Sequence, residues 1–417
     1  MYALENVLRP YAWGSPTAIA GLLGRPASGG PEAELWIGAH PDSPSTAARA
    51  DDGGPLALDA LIAGDPDHFL GSESVAAFGP RLPFLLKVLA ADHPLSLQVH
   101  PTLEQARAGF AREEAAGVDR SAATRNYKDD NHKPEMIFAL TPFEALCGFR
   151  PAAESRAVFE DLARAFEQGG REVPALLPQL VGDLARPEEG QALRAAFERL
   201  IGGGDNVAAA TAAVVELLAA GTPDGPDAAA LDTVGMLNAE YPGDPGVLIS
   251  LLLNRISLAP GEAVYLPAGN VHAYLHGLGI EVMASSDNVL RGGLTPKFVD
   301  VPELLRTIAF EAVGVPELRA EQTMLGQELY RPPFQEFALQ RIELAPGGEA
   351  VPLAQSGAAV LIVVAGSVML DSPKGDLRLD RGGSAFVPAA EAPVNVHPAG
   401  DTAEPAVVFA VTTGMKA

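Results

Sequence analysis

Cysteine is all but absent: Cys147 stands alone in 417 residues. One thiol excludes an internal disulfide framework and suits a reducing cytoplasm, with a small buried hydrophobe as its plain role. Basic residues are scarce too. The 29 Lys and Arg stand against 53 Asp and Glu, a formal net charge of −24. That balance argues against nucleic acid or an anionic membrane as a partner. Long apolar runs are missing as well. The longest, Ala358 to Leu370, is broken by Gly366 and Ser367 and falls short of the roughly 18 residues of a membrane span. Near the N-terminus Glu5, Arg9 and Pro10 leave no apolar stretch, so no secretory signal is expected. The expected setting is the cytoplasm, the expected partner a small molecule, and the expected state a monomer or weak homo-oligomer.

What is present is enough chain for two or three domains with substantial cores, 47% of it hydrophobic. Residues 1 to about 150 read as short apolar segments broken by Gly and Pro. In Pro83-Phe-Leu-Leu-Lys-Val-Leu89 the lone charge, Lys87, either snorkels at an edge or sits in a site. From about 151 to 250 the pattern turns helical: Ala157, Phe159, Leu162 and Phe166 recur at near-helical spacing, as do the apolar positions of 192–201. Strand patterning then resumes. Leu258–Gly269 is echoed without a gap by Leu379–Ala390, sharing Leu, Gly, an aromatic, a branched aliphatic, Pro and Ala in register. The echo and the Gly-rich 336–414 stretch suggest a second double-sheet jelly roll.

Three runs carry chemistry. In Leu95-Ser-Leu-Gln-Val-His100, Leu95, Leu97 and Val99 alternate with Ser96, Gln98 and His100, a strand period that puts the polar side chains on one face. Beyond the Pro267-Ala-Gly269 turn, Val271, Ala273 and Leu275 alternate with His272, Tyr274 and His276. Asn131-His-Lys-Pro-Glu135 adds a carboxylate. Two imidazoles and a carboxylate form an N/O set suited to a divalent cation. Singly, each has a blander role: His100 and His272 as core or surface histidines, Glu135 as a solvated charge.

These runs, with Tyr11-Ala-Trp-Gly14, Glu34-Leu-Trp36, Gly38, His40-Pro41 and the long Met283–Lys297 segment, resemble the motifs of the type I phosphomannose isomerases, zinc enzymes of the cupin superfamily. The resemblance implies a mainly β protein. A cupin-type jelly-roll catalytic domain would span 1–150 plus 251–335, with an α-helical domain inserted at 151–250 and a second cupin-like β domain at 336–417. The last is expected to be metal-free, because Pro393 stands at the echo position of His272. One zinc per chain, replaceable by other divalent metals, is implied on Gln98, His100, Glu135 and His272, with Arg291 as the catalytic arginine. Gln98 enters through the resemblance alone, since an amide oxygen is a weak zinc ligand.

The implied activity interconverts mannose 6-phosphate and fructose 6-phosphate through an enediolate, serving carbohydrate metabolism and GDP-mannose biosynthesis. Such a reaction needs a Lewis acid, a base and a clamp on the two oxygens. Arg291 fits the clamp, because a guanidinium keeps its charge and holds two oxygens at once. The proton carrier stays among His132, Lys133, Lys87, Asp287 and Glu281, with Lys133 or His132 foremost. Ser96 and Lys133 are alternative phosphate contacts, with Lys87, Tyr274, Glu281 and Asp287 also lining the substrate side. Lys133 cannot easily be base and anchor together. A cupin oxygenase would want a third histidine where Gln98 stands, and a non-catalytic sugar-phosphate-binding cupin would not need the intact set.

Overall fold

Strands outnumber helices among the described residues, and the longest of them organises the candidate site. The computed structural model describes residues 1–48, 54–221, 225–400 and 404–415. The strand His272–Ala284 lies in a ten-stranded sheet and changes partners midway. Its first half pairs with Phe143–Phe149 and, at His272, with Gln98. Its second half pairs with Phe84–Ala91 on one side and Glu135–Ala139 on the other. The change falls at Gly277, where φ is +129°. A Cβ there would lie 2.7 Å from the Phe143 ring and 2.8 Å from the Pro142 carbonyl, so glycine is required at this corner.

Alternation sorts the side chains of this sheet. Leu97, Val99, Leu146, Val271, Ala273 and Leu275 pack outward against helices, whereas Cys147, Tyr274, Leu89 and Ile137 pack inward. Two expectations from the alternation differ in the structure. The strand at Gln98–Val99 is only two residues long, and Leu95 joins the inward group with Tyr274, its N–H donating to the Tyr274 carbonyl. His276 is exposed, because the register slips between Tyr274 and His276 just before the Gly277 corner.

Between Phe143–Phe149 and Leu253–Leu258 the chain forms the helices Ala152–Gln168, Leu176–Leu184, Glu189–Ile201, Asp205–Ala219 and Ala228–Glu240. The first buries Ala152, Ser155, Val158, Phe159, Leu162 and Phe166. Ala157 is exposed, since the 3.6-residue turn aligns Val158, not Ala157, with Leu162 and Phe166. These helices cover the outer face of the limb that carries His272.

A nine-stranded sheet and a four-stranded sheet build the C-terminal part, with Ile342, Leu361, Val368, Leu370 and Val396 packed between them. The strand Ala359–Ala365 is buried on both faces, which explains its unbroken apolar run. The echo is visible as two four-residue strands, Ala263–Leu266 and Ser384–Val387, each after a turn with a positive-φ glycine, Gly261 or Gly382. The first strand of the chain, Tyr2–Glu5, pairs with Ser384–Val387, and the N-terminal ammonium meets Glu391 at 2.7 Å.

Candidate metal centre

Four strands set one row of side chains. Cys147, His272, Gln98 and Arg291 are successive cross-strand partners, so all four share the inward face at one level. His100 follows Gln98 by two residues, and Glu135 opens the strand that pairs through Met283 with the other limb of the long strand. The turn that leads into His272 is docked on this group, as Gly269 donates its N–H to the His100 carbonyl at 2.9 Å. Its φ is +81°, and a Cβ there would lie 2.9 Å from that of Ala309.

His100, Glu135 and His272 are buried and their ligand atoms lie within 4.8 Å of one another. His100 donates Nδ1–H to the Asn288 carbonyl at 2.7 Å, and His272 donates Nδ1–H to the Asn270 carbonyl at 3.0 Å. With Nδ1 protonated, each neutral ring turns an Nε2 lone pair inward. Those lone pairs face the carboxylate of Glu135 at 3.3 and 3.4 Å. His100 Nε2, His272 Nε2 and Glu135 Oε2 have no hydrogen-bond partner. Burial pushes His100 down to about 4, the neutral form a metal needs. Burial would raise Glu135, but the charge of Lys133 beside it leads the effects that hold its pKa well below the usual carboxylate range. Acceptors crowded together without a proton are costly unless a cation lies between them. The residues therefore fit a divalent ion, and Gln98 stands beside His272 in register on the same face.

The other candidates fall into distinct places. Lys133 is buried with Nζ 3.1 Å from Glu135. His132 is engaged instead with Glu336, far along the chain. Lys87 is buried between Glu281, at 2.9 Å, and Glu34, at 3.5 Å, and its ammonium lies over the Trp36 ring. Burial opposes that charge, yet the two carboxylates prevail and push the lysine above its ordinary range. The Tyr274 hydroxyl is buried without a partner, and burial with Glu281 and Glu135 nearby raises its pKa well above 10. Ser96 is half-buried just ahead of the Gln98–Val99 strand. Asp287 meets His40 Nε2 at 3.5 Å. Together with Asp42 these two form another trio of potential ligands, beside a cleft of about 270 Å³.

Arg291 is half-buried and has no acid partner among the described residues; Asp287 is taken by His40, and Asp300 caps the helix Val301–Thr307 while binding Asn126. Burial lowers its pKa, and Lys297 feels both Arg291 and Lys128 as neighbouring charges. Lys128 and Asp129 escaped the sequence reading, whereas Glu34 and Asn288 stood inside the motif runs Glu34-Leu-Trp36 and Met283–Lys297 without a role of their own. Cys147 is buried in the same row, its thiol pushed up to about 12 by burial, which suits an inert filler.

The chain matches "Phosphomannose isomerase type I, catalytic domain" over residues 1–152 and "Phosphomannose isomerase type I C-terminal" over 328–373. Mannose-6-phosphate isomerase of Escherichia coli K12 is 40% identical over 399 residues, covering 95% of this chain and 97% of its own. That of Schizosaccharomyces pombe is 32% identical over 432 residues, covering 98% of each. A crystal structure of the Salmonella typhimurium mannose 6-phosphate isomerase bound to its substrate, fructose 6-phosphate, and to zinc superposes with a TM-score of 0.86 at 36% identity, covering all of both chains.

Proposed function

The chain belongs to the type I phosphomannose isomerases, and from that membership we propose that it interconverts mannose 6-phosphate and fructose 6-phosphate with one zinc ion held by Gln98, His100, Glu135 and His272. The observation that carries this is the convergence of His100 Nε2, His272 Nε2 and Glu135 Oε2, buried and without partners, beside the unpaired Arg291. Bound there, zinc supplies a Lewis acid for the substrate oxygens on C1 and C2.

Isomerisation moves the C2 proton to C1 and a hydroxyl proton from O2 to O1. Lys133 is assigned the carbon proton, because its Nζ stands 3.1 Å from the ligand Glu135. Lys87 is unsuited to this task, since its two carboxylates keep it an ammonium; it balances Glu281 and Glu34 instead. Arg291 clamps the oxygens as negative charge develops on them. The phosphate is assigned to Ser96, Lys128 and Lys297, which relieves Lys133 of that role and reconciles an anionic substrate with a charge of −24. Tyr274, Glu281 and Asp287 line the substrate side.

The proposal extends to the architecture: a catalytic cupin jelly roll from 1–150 plus 251–335, a helical insert at 151–250, and a metal-free cupin-like domain at 336–417. It places the protein in the cytoplasm as a monomer or weak homo-oligomer. A coupled assay with mannose 6-phosphate tests the activity. Exhaustive chelation should abolish turnover and one equivalent of zinc per chain should restore it; full activity in metal-stripped protein contradicts the reading.

A further inference from the structure

We propose that Asn288 is a positioning residue which, clasped by Asp129, ties the orientation of the metal ligand His100 to the strand that bears Arg291. The proposal rests on the metal-dependent isomerase reading above.

Asn288 is fully buried in a stretch without regular structure, three residues before Arg291. Its backbone carbonyl takes the Nδ1–H of His100 at 2.7 Å. Its side chain reaches across to residues 128–131. There Oδ1 accepts the N–H groups of Lys128, at 2.7 Å, and Asp129, at 3.3 Å. Nδ2 donates to the carbonyls of Asp129 and Asn131, both at 2.8 Å. Both donors and both lone pairs of the carboxamide are thus in use. Asp129 answers in the opposite direction. Its carboxylate accepts from the Ser286 hydroxyl at 2.8 Å, the Asp287 N–H at 2.7 Å and the Asn131 N–H at 3.0 Å.

Neither segment can satisfy these backbone groups by itself, because neither is helix or strand, and leaving them unpaired where they are buried is costly. The exchange welds two pieces of chain that lead directly into chemistry. Residues 128–131 run on to Lys133 and Glu135, and residues 286–288 run on to Arg291. The partner of a ligating imidazole sets its orientation and basicity. Here that partner is a carbonyl on the very residue that locks the two segments. Any shift of Asn288 therefore turns His100 and displaces Arg291 together. Altering Asp129 replaces no ligand and no residue assigned to substrate, and its carboxylate reaches the site only through the backbone, hydroxyl and carboxamide groups of 286–288 and 131 that the clasp holds.

The test compares wild type with Asp129→Asn and Asn288→Ala, reading zinc affinity by competition with a chelating dye, and kcat and KM for mannose 6-phosphate at saturating zinc. Asp129→Asn puts an amide donor against backbone N–H groups and loosens the clasp while keeping its size. Its zinc affinity should fall about 10–100-fold, the usual effect of losing a ligand's outer partner. At saturating zinc its kcat should stay about 10-fold or more below wild type, with KM changed less, because Arg291 remains displaced. Asn288→Ala should do the same or fail to fold, in which case Asp129→Asn decides. Zinc should also slow amide exchange at 128–131 and 286–291 together in wild type. Wild-type zinc affinity in Asp129→Asn, or a kcat fully restored by excess zinc, overturns the clasp. A wild type that neither binds zinc nor isomerises overturns the functional reading instead, so the two failures are distinguishable.

Discussion

Arg291 is the residue whose role is easiest to separate from the rest. It stands in register with Gln98 on the inward face, yet it is neither a ligand nor an ion-pair partner among the described residues. A half-buried guanidinium without an acid is a waiting counter-charge for an anion. Arg291→Lys keeps the cation and loses the two-pronged geometry. The loss should cost about 3–4 kcal/mol of transition-state stabilisation, or about 10²–10³ in kcat, with zinc content unchanged and KM altered much less. Metal analysis and steady-state kinetics on the same preparation check this, and wild-type turnover in a zinc-loaded Arg291→Lys would make the arginine a scaffold. At this scale the sequence was most informative. His100, Glu135 and His272 stood in three separate runs, and the fold brings them together. Lys87 was ambiguous because a buried lysine and an edge lysine look alike in one strand; its partners Glu34 and Glu281 arrive from the two flanking strands.

At the scale of elements, the strand His272–Ala284 matters most, because one continuous segment supplies His272 to one limb and Glu281 to the other. Gly277 permits the bend. Gly277→Ala meets both a φ of +129° and the Phe143 and Pro142 contacts, so it should destabilise the fold by at least about 1–3 kcal/mol and weaken zinc binding as the limbs part. Denaturant titration with and without zinc checks both effects; an unchanged midpoint would show that the corner is not where the strand is held. Alternation in the sequence separated Val271, Ala273 and Leu275 from His272 and Tyr274 correctly. It failed at Leu95 and His276, where a two-residue strand and a slipped register end the pleat. The helices were legible from spacing, apart from the one-residue error at Ala157. The Asp129–Asn288 clasp was illegible, since hydrogen bonding between two irregular segments leaves no periodic trace.

Across the whole molecule, contacts between distant parts of the chain converge behind the candidate site. Tyr2–Glu5 pairs with Ser384–Val387, and His132, just before Lys133, is held by Glu336. Phe84, Val88, Met136 and Ile280 of the ten-stranded sheet share one core with Val360, Phe386 and Phe409 of the nine-stranded sheet. The C-terminal part thus backs the strands that carry Lys87, Glu135 and Glu281. Everything functional depends on a cation lying where the imidazoles and carboxylate converge. Diffraction from zinc-loaded crystals on either side of the zinc absorption edge locates that cation directly. The anomalous difference map should hold a single strong peak about 2.0–2.2 Å from His100 Nε2, His272 Nε2 and a Glu135 oxygen, with the Gln98 amide oxygen completing the set. No peak there, or a peak only at the His40, Asp42 and Asp287 trio, would contradict the assignment.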